Sequence, residues 1–345
     1  MAETRDKQPL VAVVTPVYNG LPYLEKTLAC VQAQTHPNLV HVVLDNASTD
    51  NTPQVIAQAR GGRVPILTRR NASVLPQVEN WNAAIAMTPA EAGYIKFLCA
   101  DDLIRADAVA RMVAIAEAHP RVQFVTAIDV FDDLVKPHNF DQEDRVYDGR
   151  ECVRRLVSGD ITWFPFPHLF FRVTPERLEN PFNPAASPAQ DADFVFRLLL
   201  EGDMGFVNEA LFYTRKHESA ATSRMGGDRL FIVTGLRRLR LYGRNVLAPD
   251  EFERRSRNAM RLLLRHILAW RASGKSELAA QTMQALVELG LEPGLTDYVA
   301  AILSWPRHKL LKTARQMTHR VSEPPIRMTA VDFLVSSQGM PVPER

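Results

Sequence analysis

Cysteines, long apolar runs and a secretion signal are scarce or absent in this sequence of 345 residues. Its three cysteines, Cys30, Cys99 and Cys152, lack metal-ligand spacing, and we interpret them as buried thiols of a protein in a reducing compartment. No stretch approaches the roughly 18 uninterrupted apolar residues of a membrane span. No charged-then-apolar leader precedes Leu10, so we expect a protein that is not secreted.

Glycine-rich phosphate-binding loops are also missing. The sequence has neither a Gly-x-Gly-x-x-Gly after its first strand nor a Gly-x-x-x-x-Gly-Lys-Ser/Thr, which excludes the usual dinucleotide fingerprint and the P-loop. A ligand bearing phosphates would have to be held by a metal ion instead. With 46% hydrophobic and 23% charged residues and no internal repeat, the chain can bury a sizeable core. Its length favours two domains, or one domain with an extension.

What is present in the N-terminal half is an alternation of apolar strands with helical segments. Three apolar runs, at residues 10–14, 39–44 and 93–100, are typical of strands covered on both faces. The alternation predicts βαβ units in a mainly parallel sheet, which is an α/β fold. A polar cluster follows each run, and right-handed crossovers would bring the three clusters to one edge of the sheet. The clusters are Thr15 to Gly20, Asp45 to Thr52, and Asp101 with Asp102.

Asp101 and Asp102 are the most informative pair, because they directly follow a buried strand. Ligands bind at the carboxyl edge of open α/β sheets. Mg²⁺ or Mn²⁺ prefers one or two carboxylates together with phosphate oxygens from a substrate. The pair therefore predicts a site for a nucleotide diphosphate and a divalent metal. The alternative is solvated loop charge or the start of a helix.

Five segments, taken in order, resemble the motifs of bacterial family-two glycosyltransferases. These segments are residues 15–20, 44–50, 97–102, 190–197 and 213–219. The resemblance covers roughly residues 9 to 223. It implies a GT-A-type (Rossmann-like) sheet flanked by helices, and an inverting transfer from a nucleotide-diphosphate sugar to a saccharide or lipid-linked saccharide in polysaccharide or cell-envelope synthesis.

The resemblance also implies a nucleotide site. Thr15, Pro16 and Tyr18 would line the pocket for the base and ribose. Asp45 would hydrogen-bond the base, usually uracil, and Asp101 would approach the ribose. Asp45 could instead be a turn former that satisfies nearby amides. Outside the motifs, Arg69 and Arg70 could reach the diphosphate, but we interpret them as solvated charge, and we interpret Trp81 as core.

The same resemblance places the metal and the catalytic base. Asp102 would bind a metal that bridges the diphosphate, His217 would lie near that metal, and Asp191 would be the catalytic acid residue. Two positions depart from the pattern, since Cys99 stands where many relatives have Asp and Gln190 where Glu is usual.

Elementary chemistry supports these roles. Sugar transfer needs charge neutralisation on the departing diphosphate and a base at the acceptor hydroxyl. Asp191 begins an amphipathic helix that would hold it in place, although a first-turn acid favoured by the helix dipole is the alternative. His217 could likewise be a surface residue that caps a strand.

A domain boundary is predicted near Ser223. Residues 1–223 form the glycosyltransferase domain, 224–321 a basic helical extension, and 322–345 a loosely packed tail. Four helices are expected in the extension, at 229–244, 251–272, 276–289 and roughly 295–318. From residue 224 onward the chain holds 20 Lys and Arg against 11 Asp and Glu, a net charge of +9, which leaves −7 for the remainder.

This asymmetry suggests a peripheral contact with the inner face of the membrane for an otherwise cytoplasmic protein. A solvated appendage or a dimer contact is the alternative. Nucleic acid is not an expected partner, because the basic residues lack interleaved aromatics. Two other functions stay open, a non-catalytic nucleotide-sugar-binding or scaffold relative and a sugar nucleotidyltransferase. The latter would need a glycine-rich, Arg/Lys-bearing loop after the first strand.

Overall fold

The computed structural model describes residues 8–135, 145–161, 169–186, 189–217, 229–305 and 326–336. The chain divides into two compact units. The first comprises Met1–Lys216 together with Ile326–Arg345, and the second comprises His217–Pro325. The predicted boundary at Ser223 lies outside the described residues.

The first unit is built on one twisted sheet of ten described strands. In chain order they are β1 (Val11–Val17), β2 (Leu39–Asp45), β3 (Ile66–Arg70), β4 (Tyr94–Phe97), β5 (Leu103–Ile104), β6 (Val122–Phe131), β7 (Leu134–Val135), β8 (Arg145–Tyr147), β9 (Phe170–Arg172) and β10 (Asp203–Thr214). The main path runs β3-β2-β1-β4-β9-β6-β10-β5. Every residue of β1 and β2 is buried, as expected for strands covered on both faces.

The predicted α/β fold is confirmed, and the sheet is parallel where the sequence placed its strands. β1 pairs in parallel with β2 and β4, and β2 with β3. Beyond β4 the sheet is mixed, because β9 lies antiparallel between β4 and β6. The helices of this unit are α1 (Leu24–Gln32), α2 (Thr52–Ala59), α3 (Gln77–Ile85), α4 (Ala108–Ala118), α5 (Gly149–Ser158), α6 (Pro175–Leu178) and α7 (Gln190–Glu201).

The second unit is helical over its described residues. Its helices are α8 (Arg229–Tyr242), α9 (Pro249–Ala272), α10 (Ser276–Glu288) and α11 (Leu295–Leu303). They share a core that includes Leu236, Leu263, Leu264, Ile267 and Leu286. The four predicted helices are therefore present, although residues 306–318 of the last lie outside the described residues. Within the described chain, none of the helices combines the length and apolar character needed to cross a membrane.

The expectation of a loosely packed tail from Ser322 is wrong for residues 326–336. This segment returns to the first unit, where Val135 N–H donates to the Ile326 carbonyl at 3.0 Å. It ends in α12 (Ala330–Ser336), whose Phe333 is fully buried against the Tyr213 ring, with centroids 5.7 Å apart. Prolines and small residues nearby suggested a tail, but Met328 and Phe333 are buried in the core of the first unit, and Ala330 and Leu334 pack against it.

Candidate active site

The polar clusters after β1, β2 and β4 meet at one edge of the sheet. The first two interlock, since Asn46 N–H donates to the Val17 carbonyl at 2.8 Å and Asn19 N–H donates to Ser48 Oγ at 2.9 Å. Asn19 accepts in return from Thr49 N–H at 2.8 Å, with its own backbone in the left-handed region at φ 50°. The loops at residues 15–20 and 45–52 therefore form one rigid surface, which we call the wall. It is built mostly by side chains that satisfy backbone amides.

Asp45 is buried in this wall and paired with a cation. Its Oδ2 lies 3.1 Å from Arg70 Nη1, and its Oδ1 accepts from Ser48 N–H at 2.9 Å. Arg70 is the register partner of Asp45 on β3 and also donates to the Ser48 carbonyl at 2.8 Å. Asp45 does stabilise a turn, as the alternative held, but it also fixes Arg70 at the site. Arg70 was interpreted as solvated charge, and its side chain is half exposed while also pairing with Asp45.

Thr15, Pro16 and Tyr18 differ in what they present to this edge. Thr15 is fully buried, and its Oγ1 lies 3.0 Å from His41 Nε2, so any contact with a nucleotide would use its main chain. Burial lowers the pKa of His41 to about 3, so the ring is neutral at pH 7. Pro16 is buried in β1, whereas Tyr18 is 49% exposed and offers a free aromatic face. Tyr18 is thus the member of the three available for stacking.

Asp101, Asp102 and Cys99 form a cluster that suits a divalent cation. Within the described residues, their ligand atoms all lie within 4.8 Å of one another. Asp102 is 3% exposed, and burial together with the charge of Asp101 raises its pKa well above the ordinary range. A bound cation would offset both effects. Two carboxylates fit Mg²⁺ or Mn²⁺, while the Cys99 thiol is a softer donor.

A buried lysine lies beneath this cluster. Lys96 on β4 is fully buried, with Nζ 3.9 Å from the centroid of the Phe212 ring. Burial lowers its pKa to about 7, although the charges of Cys99, Asp102 and Asp129 oppose the shift. The buried acids therefore have a nearby basic group within the sheet. Sequence reasoning missed Lys96, although a lysine inside an otherwise apolar strand is a signal in itself.

Arg215 closes the site from the end of β10. Its backbone N–H donates to Asp102 Oδ1 at 3.0 Å, and its guanidinium donates to the Asp101 carbonyl oxygen. The guanidinium also stacks on the Tyr23 ring at 5.3 Å. The sequence placed His217 near the metal, but Arg215 is the residue that the structure ties to both acids. His217 is partly buried and follows two residues later, at the start of the second unit.

Asp191 lies in the first turn of α7, as predicted. The helix is anchored by buried apolar residues, among them Phe194, which packs edge-on against Phe171 with centroids 4.8 Å apart. Asp191 Oδ1 accepts from Ala192 N–H at 2.7 Å, and the carboxylate is half-buried. Burial, and then the charges of Asp102, Asp101 and Asp191, raise the pKa of Cys99 well above its usual value. The negative charges of Asp101, Asp102 and Asp191 therefore all raise the pKa of the same thiol, that of Cys99.

Comparison with known protein families identifies a matching family for part of the first unit. Residues 12–169 match the family model described as glycosyl transferase family 2. This part of the chain is a family 2 glycosyltransferase domain. The match covers the strands and loops that carry Thr15, Asp45, Asp101 and Asp102, so the predicted family is confirmed.

Curated bacterial proteins are similar in sequence to this chain over part of their length. The chain is 33% identical over 104 residues to TuaG of Bacillus subtilis, named as a teichuronic acid biosynthesis glycosyltransferase, which is 29% of this chain and 39% of TuaG. It is 32% identical over 106 residues to the hyaluronan synthase of Pasteurella multocida, covering 30% of this chain and 10% of that protein. The chain thus spans well under two thirds of either relative.

Solved structures show the same fold. TarS of S. aureus in complex with UDP superimposes with a TM-score of 0.55 at 17% identity, covering 85% of this chain and 81% of that one. The mannosyltransferase PcManGT of Pyrobaculum calidifontis, in complex with GDP-Man and Mn²⁺, gives a TM-score of 0.51 at 20% identity, covering 90% and 84%. At these identities the likeness establishes a GT-A architecture for the chain.

Proposed function

We propose that this protein is an inverting glycosyltransferase that moves a sugar from a nucleotide-diphosphate donor to a hydroxyl of a saccharide or lipid-linked saccharide. The observation that carries the proposal is the cluster of Asp101, Asp102 and Cys99 at the sheet edge, next to the wall that holds Asp45 and Arg70. UDP is our proposed nucleotide, supported by the complexes of the TarS neighbours with UDP and UDP-GlcNAc. We place the reaction in the cytoplasm, where free thiols such as Cys30 and Cys152 persist.

In this proposal the wall binds the nucleoside. Asp45, buried and already ordered by Arg70, accepts from the base, and Tyr18 stacks on its face. Asp101 approaches the ribose, while the main chain at Thr15 and Pro16 shapes the pocket floor. The Asp45–Arg70 pair is preorganised, so little side-chain entropy is lost when the base binds.

Asp102 would hold a divalent metal, Mg²⁺ or Mn²⁺, with Asp101 and Cys99 in support and His217 as a further ligand. When bound, the metal neutralises charge on the departing diphosphate as a Lewis acid. Arg215 keeps Asp102 oriented through its backbone N–H. Mn²⁺ in the PcManGT complex supports this choice.

Asp191 would act as the general base. Its carboxylate takes the proton of the acceptor hydroxyl while that oxygen bonds to the anomeric carbon and the bond from this carbon to the diphosphate oxygen breaks. The electron pair leaves with the diphosphate, and attack from the opposite face inverts the carbon. Gln190, buried beside it, is neutral, so no second carboxylate stands at the preceding position.

The departures at Cys99 and Gln190 favour one alternative, a non-catalytic domain that binds a nucleotide sugar. A sugar nucleotidyltransferase is disfavoured, because residues 15–20 lack both glycine-rich spacing and a basic residue. A non-catalytic domain would still bind the nucleotide sugar through the wall and the metal cluster. Sugar transfer by the parental protein, rather than donor binding, therefore distinguishes the glycosyltransferase from the non-catalytic domain.

Calorimetric titration with UDP, GDP and dTDP, each with and without Mn²⁺, tests the donor and metal. We expect UDP to bind in a Mn²⁺-dependent way, and Asp102→Ala to weaken Mn²⁺-dependent binding by about 10- to 100-fold or more, the range for groups that orient a metal. Asp203→Ala is the matched control, since Asp203 starts β10 at the far edge and pairs with Arg121. If GDP or dTDP binds instead of UDP, the mechanism stands and the donor changes. Binding of none of the three would contradict the proposal.

A further inference from the structure

One peptide group connects the metal cluster to the strands beside it. This is the peptide between Thr214, the last residue of β10, and Arg215. Its N–H donates to Asp102 Oδ1 at 3.0 Å, and its carbonyl accepts from Asp132 N–H at 3.0 Å. Because a peptide group is planar, fixing the carbonyl also fixes the direction of the N–H. The hairpin that follows β6 therefore helps to set the direction from which Asp102 receives its hydrogen bond.

A side-chain hydrogen bond holds the same peptide group. Thr214 Oγ1 donates to Asp129 Oδ1 at 2.9 Å, and Asp129 lies in β6, three residues before Asp132. β10 and β6 pair in parallel up to this point. Thr214 is thus tied to β6 and its hairpin by its hydroxyl as well as by its carbonyl. Together these ties leave the Arg215 N–H little freedom to turn away from Asp102.

Asp129 is a buried carboxylate with a buried cation near it. It is 3% exposed, and its register partner on β10 is Phe212, whose ring centroid lies 3.9 Å from Lys96 Nζ. Burial lowers the pKa of Lys96, while the charges of Cys99, Asp102 and Asp129 oppose that shift. The lysine therefore interacts electrostatically with the metal cluster and with Asp129. Buried charges are costly unless they are compensated, and such groups concentrate at functional sites.

We propose that Asp129 and Thr214 are positioning residues for the divalent-metal site, because their hydrogen bond holds the peptide group whose N–H orients Asp102. This role rests on the proposed function, since it presupposes a cation at Asp102. Neither residue belongs to the metal cluster. Partners that orient a metal ligand change the affinity for the metal without contacting it. The hydrogen bond, and not the charge of Asp129, carries the effect, so a neutral acceptor of the same shape should replace the carboxylate.

Two pairs of variants separate the hydrogen bond from shape and charge. Thr214→Val keeps the branched shape and loses the hydroxyl, whereas Thr214→Ser keeps the hydroxyl. Asp129→Ala and Asp129→Asn remove the same charge, but only the second keeps a carbonyl oxygen that accepts from Thr214. The control is Thr282→Val in the helical unit. Thr282 is buried, and its hydroxyl also donates at 2.9 Å, to the Leu278 carbonyl.

Calorimetric titration of the full chain with UDP, at a series of Mn²⁺ concentrations, measures the effect. We expect Thr214→Val and Asp129→Ala to need about tenfold more Mn²⁺ for half-maximal UDP binding, the lower end of the range for groups that orient a metal ligand. Their UDP affinity at saturating Mn²⁺ should match that of the parental chain. Thr214→Ser, Asp129→Asn and the control should need about as much Mn²⁺ as the parental chain.

Two results would overturn the positioning role and leave the donor site standing. In the first, Thr214→Val needs no more Mn²⁺ than the parental chain. In the second, Thr282→Val raises the Mn²⁺ requirement as much as Thr214→Val does, so that lost stability explains both. A parental chain whose UDP binding does not depend on Mn²⁺ would contradict the proposed metal site and the positioning role with it. Thr214 is only partly buried, so Thr214→Val decides the matter even if Asp129→Ala fails to fold.

Discussion

At the scale of single residues, the site is organised by partners that are distant in sequence. Asp45 and Arg70 are 25 positions apart, yet they end neighbouring parallel strands in register, and this makes their ion pair. Asp102 and Arg215 are joined across 113 positions by one backbone hydrogen bond. Each link fixes a side chain proposed to bind the donor, which is how the fold preorganises a charged site before any ligand arrives.

The role of Asp191 is the sharpest prediction at this scale. Asp191→Asn keeps the shape of the side chain and its acceptor for Ala192 N–H but cannot take a proton. We expect kcat to fall on the order of 10²- to 10⁴-fold, with KM for the donor and UDP affinity little changed. Initial rates of sugar transfer, with calorimetry for UDP, measure this split.

Asp193→Asn is the matched control for that variant. Asp193 lies in the same first turn and pairs with Arg197 at 3.1 Å, so it has the same helix-dipole environment and a structural partner. Asp193→Asn should leave kcat within about threefold of the parental value, because a partly exposed ion pair contributes about 1 kcal/mol or less to stability. Transfer by Asp191→Asn at the parental rate would rule out Asp191 as the base.

The sequence predicts the positions of the proposed site residues along the fold better than the orientation of their side chains. The pattern of acids after buried strands predicts that Asp45, Asp101 and Asp102 lie at the sheet edge, whereas Asp191 was proposed through the family resemblance. The inward turn of the Thr15 hydroxyl towards His41 was not foreseeable, since it depends on the neighbouring strand. Lys96 was passed over because an apolar run was interpreted as a whole, and one buried cation did not interrupt it.

At the scale of elements, long periodic segments were predictable and short ones were not. β1, β2 and β4 lie in mostly apolar runs, and α9 to α11 are separated by clear breaker residues, so both sets were found. β5 and β9 have only two and three residues, and their pairing comes from neighbouring strands rather than from a local pattern. Such strands cannot be distinguished in sequence from packed loop.

α12 is the element whose packing gives the clearest stability prediction. Phe333→Ala removes a fully buried ring that contacts Tyr213 in the main core of the first unit. We expect a loss of about 3–5 kcal/mol in the free energy of unfolding, the usual range for Phe to Ala in a core. Urea unfolding followed by circular dichroism and intrinsic fluorescence measures it.

Val331→Ala is the control on the same helix, because Val331 is 69% exposed. Its cost should stay within about 0.5 kcal/mol, as for most surface positions. A loss below about 1 kcal/mol for Phe333→Ala would mean that α12 does not contribute to the core, and the original expectation of a loosely packed tail would then be restored.

At the scale of the whole molecule, the second unit is an insertion in the first. The chain leaves the sheet after Thr214 and returns at Ile326, and both points attach to the same short hairpin. Asp132 N–H donates to the Thr214 carbonyl, Val135 N–H to the Ile326 carbonyl and Met328 N–H to the Asp133 carbonyl, each at 3.0 Å. The exit and the return therefore contact residues only three positions apart. The boundary predicted near Ser223 lies outside the described residues, and no local signal in the sequence marked the return at Ile326.

This insertion predicts different outcomes for two shortened chains. A chain that ends at His217 loses α12 along with the helical unit, which uncovers Tyr213 and Leu134. A chain in which a Gly-Ser linker of about ten residues replaces residues 218–325 keeps α12 and every proposed site residue, His217 included. We expect the linked chain to bind UDP with Mn²⁺ within about threefold of the full chain. The chain ending at His217 should unfold at a lower urea concentration, because it loses the buried Phe333.

Calorimetry and urea titration of the two shortened chains decide whether the helical unit supports the nucleotide site. If both shortened chains lose UDP binding equally, the helical unit itself helps to form the donor site. In that case the donor site would depend on the helical unit rather than on α12. The site would then extend beyond the sheet edge that carries Asp45 and Asp102.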